Sequence, residues 1–529
     1  SLLFCPALAG RSYAMRDSKK GVLVFALTVA ALCAPVSPSF GQLPKTPMSG
    51  KPQPPKTTTT PTGTWLPKTI AYIKASNTGK DNQFGYAIAL SADGNTLAVS
   101  AIAEDSAAKG VNGVSKDRAI NSGAVYVYTR DNKGWKQQAY LKASNTAEGA
   151  QFGNSLSLSA DGNLLAVGSS GEASSATGIN GNQSDRSMPG AGAVYVFARA
   201  GAAWSQQAYL KSSNTGGPDV GYQFGYAVSL SSDGSTLAVS ETSDPSNATG
   251  INGDQKNTSA PDSGAVFIFN HSGDTWSQQA YVKPWNTTAP GLLFGYSVGL
   301  NGNGDTLGVG AYNDDGRRGA VYIFTRNKGT WSQQMRVIAT NGEVGDYLGC
   351  SLAISDDGNT ILAGSVEDKF SQINAGQKDL LDSVGGAYVF VRAAGKWSQQ
   401  ASVKAFNARE NDQFGWALAM SRDGNTIAIG SHLEDSGAKG VNGDQSDASM
   451  EDSGAVYVYT RSGTTWNPTA YVKASNTKPA AEFGISVALN GDGKVLAAGA
   501  TMENSAAKGV NGKQDDTSAV SAGAAYIYY

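Results

Sequence analysis

The chain of 529 residues has two histidines and three cysteines, and only 16% of its residues are charged. His271 and His432 are too few for a multi-histidine metal centre or for a base repeated around a ring. Each is expected to be an exposed loop residue rather than a catalyst. Lys and Arg number 41 against 43 Asp and Glu, so no global field draws the chain to nucleic acid or to an anionic membrane. No Gly-x-Ser-x-Gly elbow, phosphate-binding loop or Cys-x-x-Cys pair stands out either. Long apolar runs are missing too, apart from Val22 to Ala34, which is too short to span a bilayer. With Lys19 and Lys20 before it and small residues around Gly41, that run makes residues 1–41 read as an export signal, with Met15 as a candidate start. Leu32 is too bulky to precede a lipidated Cys33. Removal of the signal leaves Cys350 alone, so it is expected to be a small buried hydrophobe, and stability must come from packing instead of disulfides.

What the chain has in abundance is glycine, 65 residues, which suits a turn-rich all-β protein. Residues 42–64 are rich in Pro and Thr with few apolar side chains and read as a linker. Beyond them a four-part pattern recurs seven times at a period of about seventy residues. It opens with Phe-Gly and alternating apolar residues, as in Phe84 to Leu90. The Phe position recurs at 84, 152, 224, 294, 348 (Leu), 414 and 483. A second apolar run such as Leu97 to Val99 follows a turn, usually Asp-Gly. A variable loop then leads to Gly-Ala-Val-Tyr-Val-Tyr at Gly123 and to a Trp-led run such as Trp135 to Lys142.

Each part is short, β-branched or aromatic, and bounded by Gly, Asp, Asn or Ser, so each reads as a strand. The Asp-Gly turns make the first two strands antiparallel neighbours. The third strand is apolar on both faces, so its sheet must be covered on both sides. The reading is all-β: residues 65–529 form one seven-bladed β-propeller of four-stranded antiparallel blades. The chain enters on a fourth strand, Trp65 to Ser76, and leaves on a third, Gly523 to Tyr529. The N-terminal strand is therefore expected to complete the last blade and close the ring.

The Phe-Gly openings, Val-Gly-Ala at 309–311 and the Gly-Ala-Val-Tyr-Val-Phe strands resemble FG-GAP repeats, which build the propeller of integrin α-subunits and of many bacterial surface proteins. That resemblance implies adhesion and extracellular ligand binding. In this family calcium is held in the turn between the first two strands by several carboxylates, but Ser91-Ala-Asp-Gly-Asn95 offers a single acid. Asp93 is read as a turn former.

Candidate sites lie on the opposite face, where six repeats insert about twenty residues between the second and third strands while the fourth has only Ala311 to Arg318. Asp105, Asp435, Asn442 and Asp444 in these loops supply oxygens of the kind calcium takes, though their spacing is not that of an EF-hand and successive turns account for it as well. Just after Phe-Gly stand Tyr86, Tyr226, Tyr296 and Trp416, with Asn154, Cys350 and Ile485 at the same place in the other blades. Such aromatics suit a sugar ring or a peptide at the mouth of the axis, or packing between blades. The tryptophans of the fourth strand recur in every blade and are assigned to packing.

The function expected is a secreted, periplasmic or cell-surface binding propeller that meets an extracellular protein or glycan as a monomer. No membrane insertion is expected once the signal is removed. The alternative is a propeller enzyme acting on polysaccharide, a lyase or hydrolase, because carboxylates alone can cleave glycosides.

Overall fold

The structure is a computed structural model that describes Trp65 and residues 67–216, 221–286, 290–374 and 377–529. The expected signal and linker lie outside these described residues. Among them no helix is long and apolar enough to cross a membrane.

Each repeat folds into one four-stranded antiparallel sheet, and there are seven such sheets. In the first blade the strands are Phe84–Leu90, Thr96–Ala101, Ala124–Asp131 and Gly134–Leu141. Blades two to six follow over 155–210, 224–282, 294–337, 352–403 and 418–472. The seventh holds Val487–Leu489, Leu496–Ala500 and Ala524–Tyr528 and is completed by Ile70–Ile73, with Tyr72 opposite Tyr526. The ring thus closes as expected, although the N-terminal strand is shorter than Trp65 to Ser76. Trp65 lies before it, buried, and donates from Nε1 to the Gly493 carbonyl at 2.8 Å.

The first strands face the axis, where Ala89, Leu90, Ser157, Leu158, Ala419, Met420 and Leu489 enclose only about 30 Å³. Neighbouring blades bury their faces on one another. Tyr126 and Tyr128 pack with Phe84 and the seventh blade's Ile527, while Val125 and Val127 pack with Phe152 of the second blade. The Phe-Gly and Gly-Ala dipeptides mark where adjacent blades cross. Gly85 has φ +97° and its missing Cβ would overlap the Ala524 carbonyl; Gly123 has φ +78° and stands equally close to the Phe152 carbonyl. Only glycine allows both the backbone angle and the approach.

In blades two to six the recurring tryptophans tie each blade to the one before it. Trp204 Nε1 donates to Gln138 at 2.8 Å, and Trp276, Trp331, Trp397 and Trp466 make the same bond to Gln207, Gln279, Gln334 and Gln400. An arginine of the third strand lies over the ring, as Arg199 does at 5.4 Å from the centroid of Trp204. In the third blade His271 takes that arginine's place and stacks on Trp276 at 4.5 Å. His271 is therefore half-buried in the strand Ala265–Ser272, not an exposed loop residue. Asp93 does form its turn: its Oδ1 accepts from Ser91 Oγ at 2.5 Å and from the Asn95 amide at 2.9 Å.

Candidate binding site at the mouth of the axis

The long loops between second and third strands gather on one face and are fixed by two repeated devices. The first is a buried clamp. Lys142, which has no exposed surface, gives its protons to Glu104 at 2.7 Å, Ser122 Oγ at 2.8 Å and the Gly123 carbonyl at 2.6 Å. Burial pulls this ammonium below the usual lysine range while Glu104 acts to restore it. Lys74–Glu503, Lys211–Glu172, Lys283–Asp244, Lys404–Asp368 and Lys473–Glu434 repeat the pair in other blades. In the fourth blade Arg336 Nε instead reaches Asp314 at 2.7 Å.

The second device is a strap. Asn112, at φ +52°, donates its amide to the Tyr140 carbonyl at 2.7 Å, and its Oδ1 accepts from the Tyr140 amide at 2.9 Å. The Gly-Val-Asn-Gly run thereby covers the edge of its blade's outermost strand. Asn442, a candidate calcium ligand, does this work on Tyr471, with its Oδ1 2.9 Å from that amide. The other candidates bond locally. Asp105 accepts from Arg118 and from the Asn121 amide. Asp435 accepts from the Asp452 amide at 3.0 Å, and Asp444 from the amide and hydroxyl of Ser446. Asp105 and Asp435 belong to different blades, and no group of three His, Cys, Asp or Glu side chains able to hold a metal occurs among the described residues.

Near the axis the same face carries the aromatics. Three positions from each blade meet there: the residue before Phe-Gly, the residue after it, and the residue following the second strand. Tyr226 lies 5.5 Å from Tyr296, Tyr296 stacks on Tyr312 at 4.5 Å, and Tyr312 stacks on Tyr347 at 4.4 Å. This ladder runs across blades three, four and five, where the loop of the fourth blade is shortest. Tyr296 is buried, whereas Tyr226, Tyr312 and Tyr347 are half-buried. Tyr86 is half-buried against the interface of the first and second blades, apart from the ladder. Trp416 is buried and meets His432 with ring centroids 4.3 Å apart.

His432 is thus a core residue rather than an exposed one, and burial pushes its imidazole down to about 3. It is neutral near pH 7 and packed beneath the surface. On the other side of the mouth the same three positions are mixed: Gln83 and Gln151 precede Phe-Gly, Asn154 follows it, and Thr501 Oγ1 donates to Glu482 at 3.1 Å, beside Tyr86, Ile102 and Ile485. The structure therefore brings together Tyr226 and Tyr296 of the four expected aromatics and adds Tyr312 and Tyr347. Tyr312 was detectable by aligning the position after the second strand, which reads Ile102, Ser170, Thr242, Tyr312, Val366, His432 and Thr501, and Tyr347 by aligning the position before Phe-Gly.

A family model described as FG-GAP repeat matches residues 135–197, 276–324, 331–390 and 397–459. Each match begins on a fourth-strand tryptophan and runs into the next third strand. No curated protein matches the chain in sequence. Among solved structures, the β-propeller domain of Swd1 from Myceliophteria thermophila is 10% identical with a TM-score of 0.45, over 86% of this chain and 99% of that one. Hydrazine synthase of Kuenenia stuttgartiensis is 14% identical with a TM-score of 0.45, over 80% of this chain and 94% of that one.

Proposed function

Because the chain is a seven-bladed propeller carrying FG-GAP repeats, we propose that it is a secreted or cell-surface binding protein that recognises an extracellular protein or glycan on its long-loop face. The fold supports a binding or adhesion role of this general kind. The contact centre is the tyrosine ladder at the mouth of the axis.

One observation carries this reading. Residues that serve packing repeat around the ring, as the clamp lysines and the tryptophans do, whereas Tyr226, Tyr296, Tyr312 and Tyr347 form a single arc with no copy elsewhere among the described residues. Tyrosines offer broad, rigid contact area with a polar tip at little entropic cost, which is why they anchor recognition surfaces. The export-signal pattern in residues 1–41 supports an extracellular setting.

The test is a glycan and matrix-protein array probed with the purified 65–529 fragment, with calcium and with chelator. Selective binding indifferent to chelator is expected. Binding that chelator abolishes would move recognition from the tyrosines to a metal held by the loops, and an array with no selective signal would overturn the proposal.

A further inference from the structure

In five blades the outermost strand is covered along its edge by a strap from the same blade: Ile73 meets Val510, Leu141 meets Val111, Leu210 meets Ile179, Val282 meets Ile251 and Val472 meets Val441. In the first blade the strap adds three backbone-level bonds. The Lys142 amide donates to Gly110 at 2.9 Å, the Asn112 amide to Tyr140 at 2.7 Å, and the Tyr140 amide to Asn112 Oδ1 at 2.9 Å. The fourth blade has no strap, because only a one-turn segment, Asp314–Arg317, separates its second strand from its third. Arg336, Val337 and Ile338 stand where Tyr140, Leu141 and Lys142 stand in the first blade, and among the described residues no loop bridges to them.

This edge also gathers apolar side chains. Ile338 replaces the clamp lysine and is 43% exposed, Met335 is 41% exposed in the place of the buried Ala139, and Trp285 is 54% exposed. The Trp285 amide bonds Gln333 on the same outer strand at 3.0 Å. Val344, just beyond the strand, is 62% exposed. The acid of the clamp is already held by Arg336, so the fold makes no use of the exposed face of Ile338. The fifth blade, where no strap bridge occurs among the described residues either, carries the hairpin Phe370–Asn374 and Gln377–Leu381 in its loop and keeps its clamp through Lys404. An open strand edge with exposed apolar side chains is a template for another strand.

We propose that the edge from Met335 to Ile338 docks an extended strand of a partner protein, one carrying a β-branched apolar residue followed by Asn-Gly. The occupant is set by continuity with the interface that the straps build on the equivalent edge in five blades: the backbone supplies affinity, and Met335, Ile338 and Trp285 select the apolar side chain. This surface lies on the rim and is independent of the tyrosine mouth.

The probe is a synthetic peptide of residues 107–115, Ala-Ala-Lys-Gly-Val-Asn-Gly-Val-Ser, added to the full chain while backbone hydrogen exchange is followed. The peptide should slow exchange at Arg336 and Ile338 and leave the strapped edges unchanged. Ile338→Pro, which deletes the outward amide without touching the inner ladder, should weaken peptide binding at least about tenfold. Ile338→Lys, which restores the residue of the other blades, should weaken it too while the protein melts as before. Protection elsewhere, or equal binding by both variants, would overturn the proposal. Concentration-dependent protection of the same edge without peptide would overturn it in favour of a second copy of the chain.

Discussion

Lys142 shows what a buried charge needs in this molecule: three acceptors within 2.8 Å and a carboxylate among them. Breaking such a pair strands a charge, which is why both partners recur together. His432 solves the same problem by staying neutral. Its imidazole binds a proton near 6.5 when unfolded but only near 3 when packed on Trp416. The folded pKa is the lower one, so the unfolded chain takes up the proton first. The stability of the neutral core is fully present above about pH 6.5 and is lost as the pH falls toward 3. Between pH 7 and pH 5 the protein should lose about 2 kcal/mol more than a His432→Leu variant, read by urea denaturation at the two values. Glu241, which burial and Asp244 push well above the usual carboxylate range, slopes the other way but is common to both proteins and cancels. Parallel pH dependences would contradict the buried-neutral assignment.

At the scale of elements, the strands were legible because each carries its own signal of alternation and bounding turns. The straps were not. A Gly-Val-Asn-Gly run looks the same whether it makes successive turns or lies along a strand, since both uses want glycine and an asparagine at positive φ. The partner strand is 28 residues away in the Asn112–Tyr140 bond and the clamp spans 38 in Glu104–Lys142, so no local pattern announces either. The loop acids therefore resembled metal-ligand oxygens, although in the structure Asp105, Asp435 and Asp444 bond within their own loops and Asn442 ties its loop to a strand. Asn112→Gly keeps the backbone angle and deletes only the Oδ1 acceptor. It should cost about 1 kcal/mol and speed exchange of the Tyr140 amide, with the other blades unaffected. An unchanged Tyr140 exchange rate would contradict the role of the strap.

The whole molecule is a closed ring held together by its repeated positions, and the recognition proposed above uses unrepeated ones. Closure could be read from the order of the repeats, because a chain that starts on a fourth strand and ends on a third has one way to leave no open sheet. The mouth could be read only in part. Tyr226 and Tyr296 share an aligned position, but Tyr312 and Tyr347 come from two other positions that only the ring brings to one point. The loop gap over the fourth blade leaves that point half-open. The most direct measurement is the affinity of the strongest array ligand for three proteins: the unaltered chain, Tyr312→Ala/Tyr347→Ala, and Lys494→Ala on the Asp-Gly turn face. Recognition by the tyrosine mouth predicts at least about a tenfold loss for the double variant and none for Lys494→Ala. Unaltered affinity in the double variant would place the ligand elsewhere on the ring and contradict it.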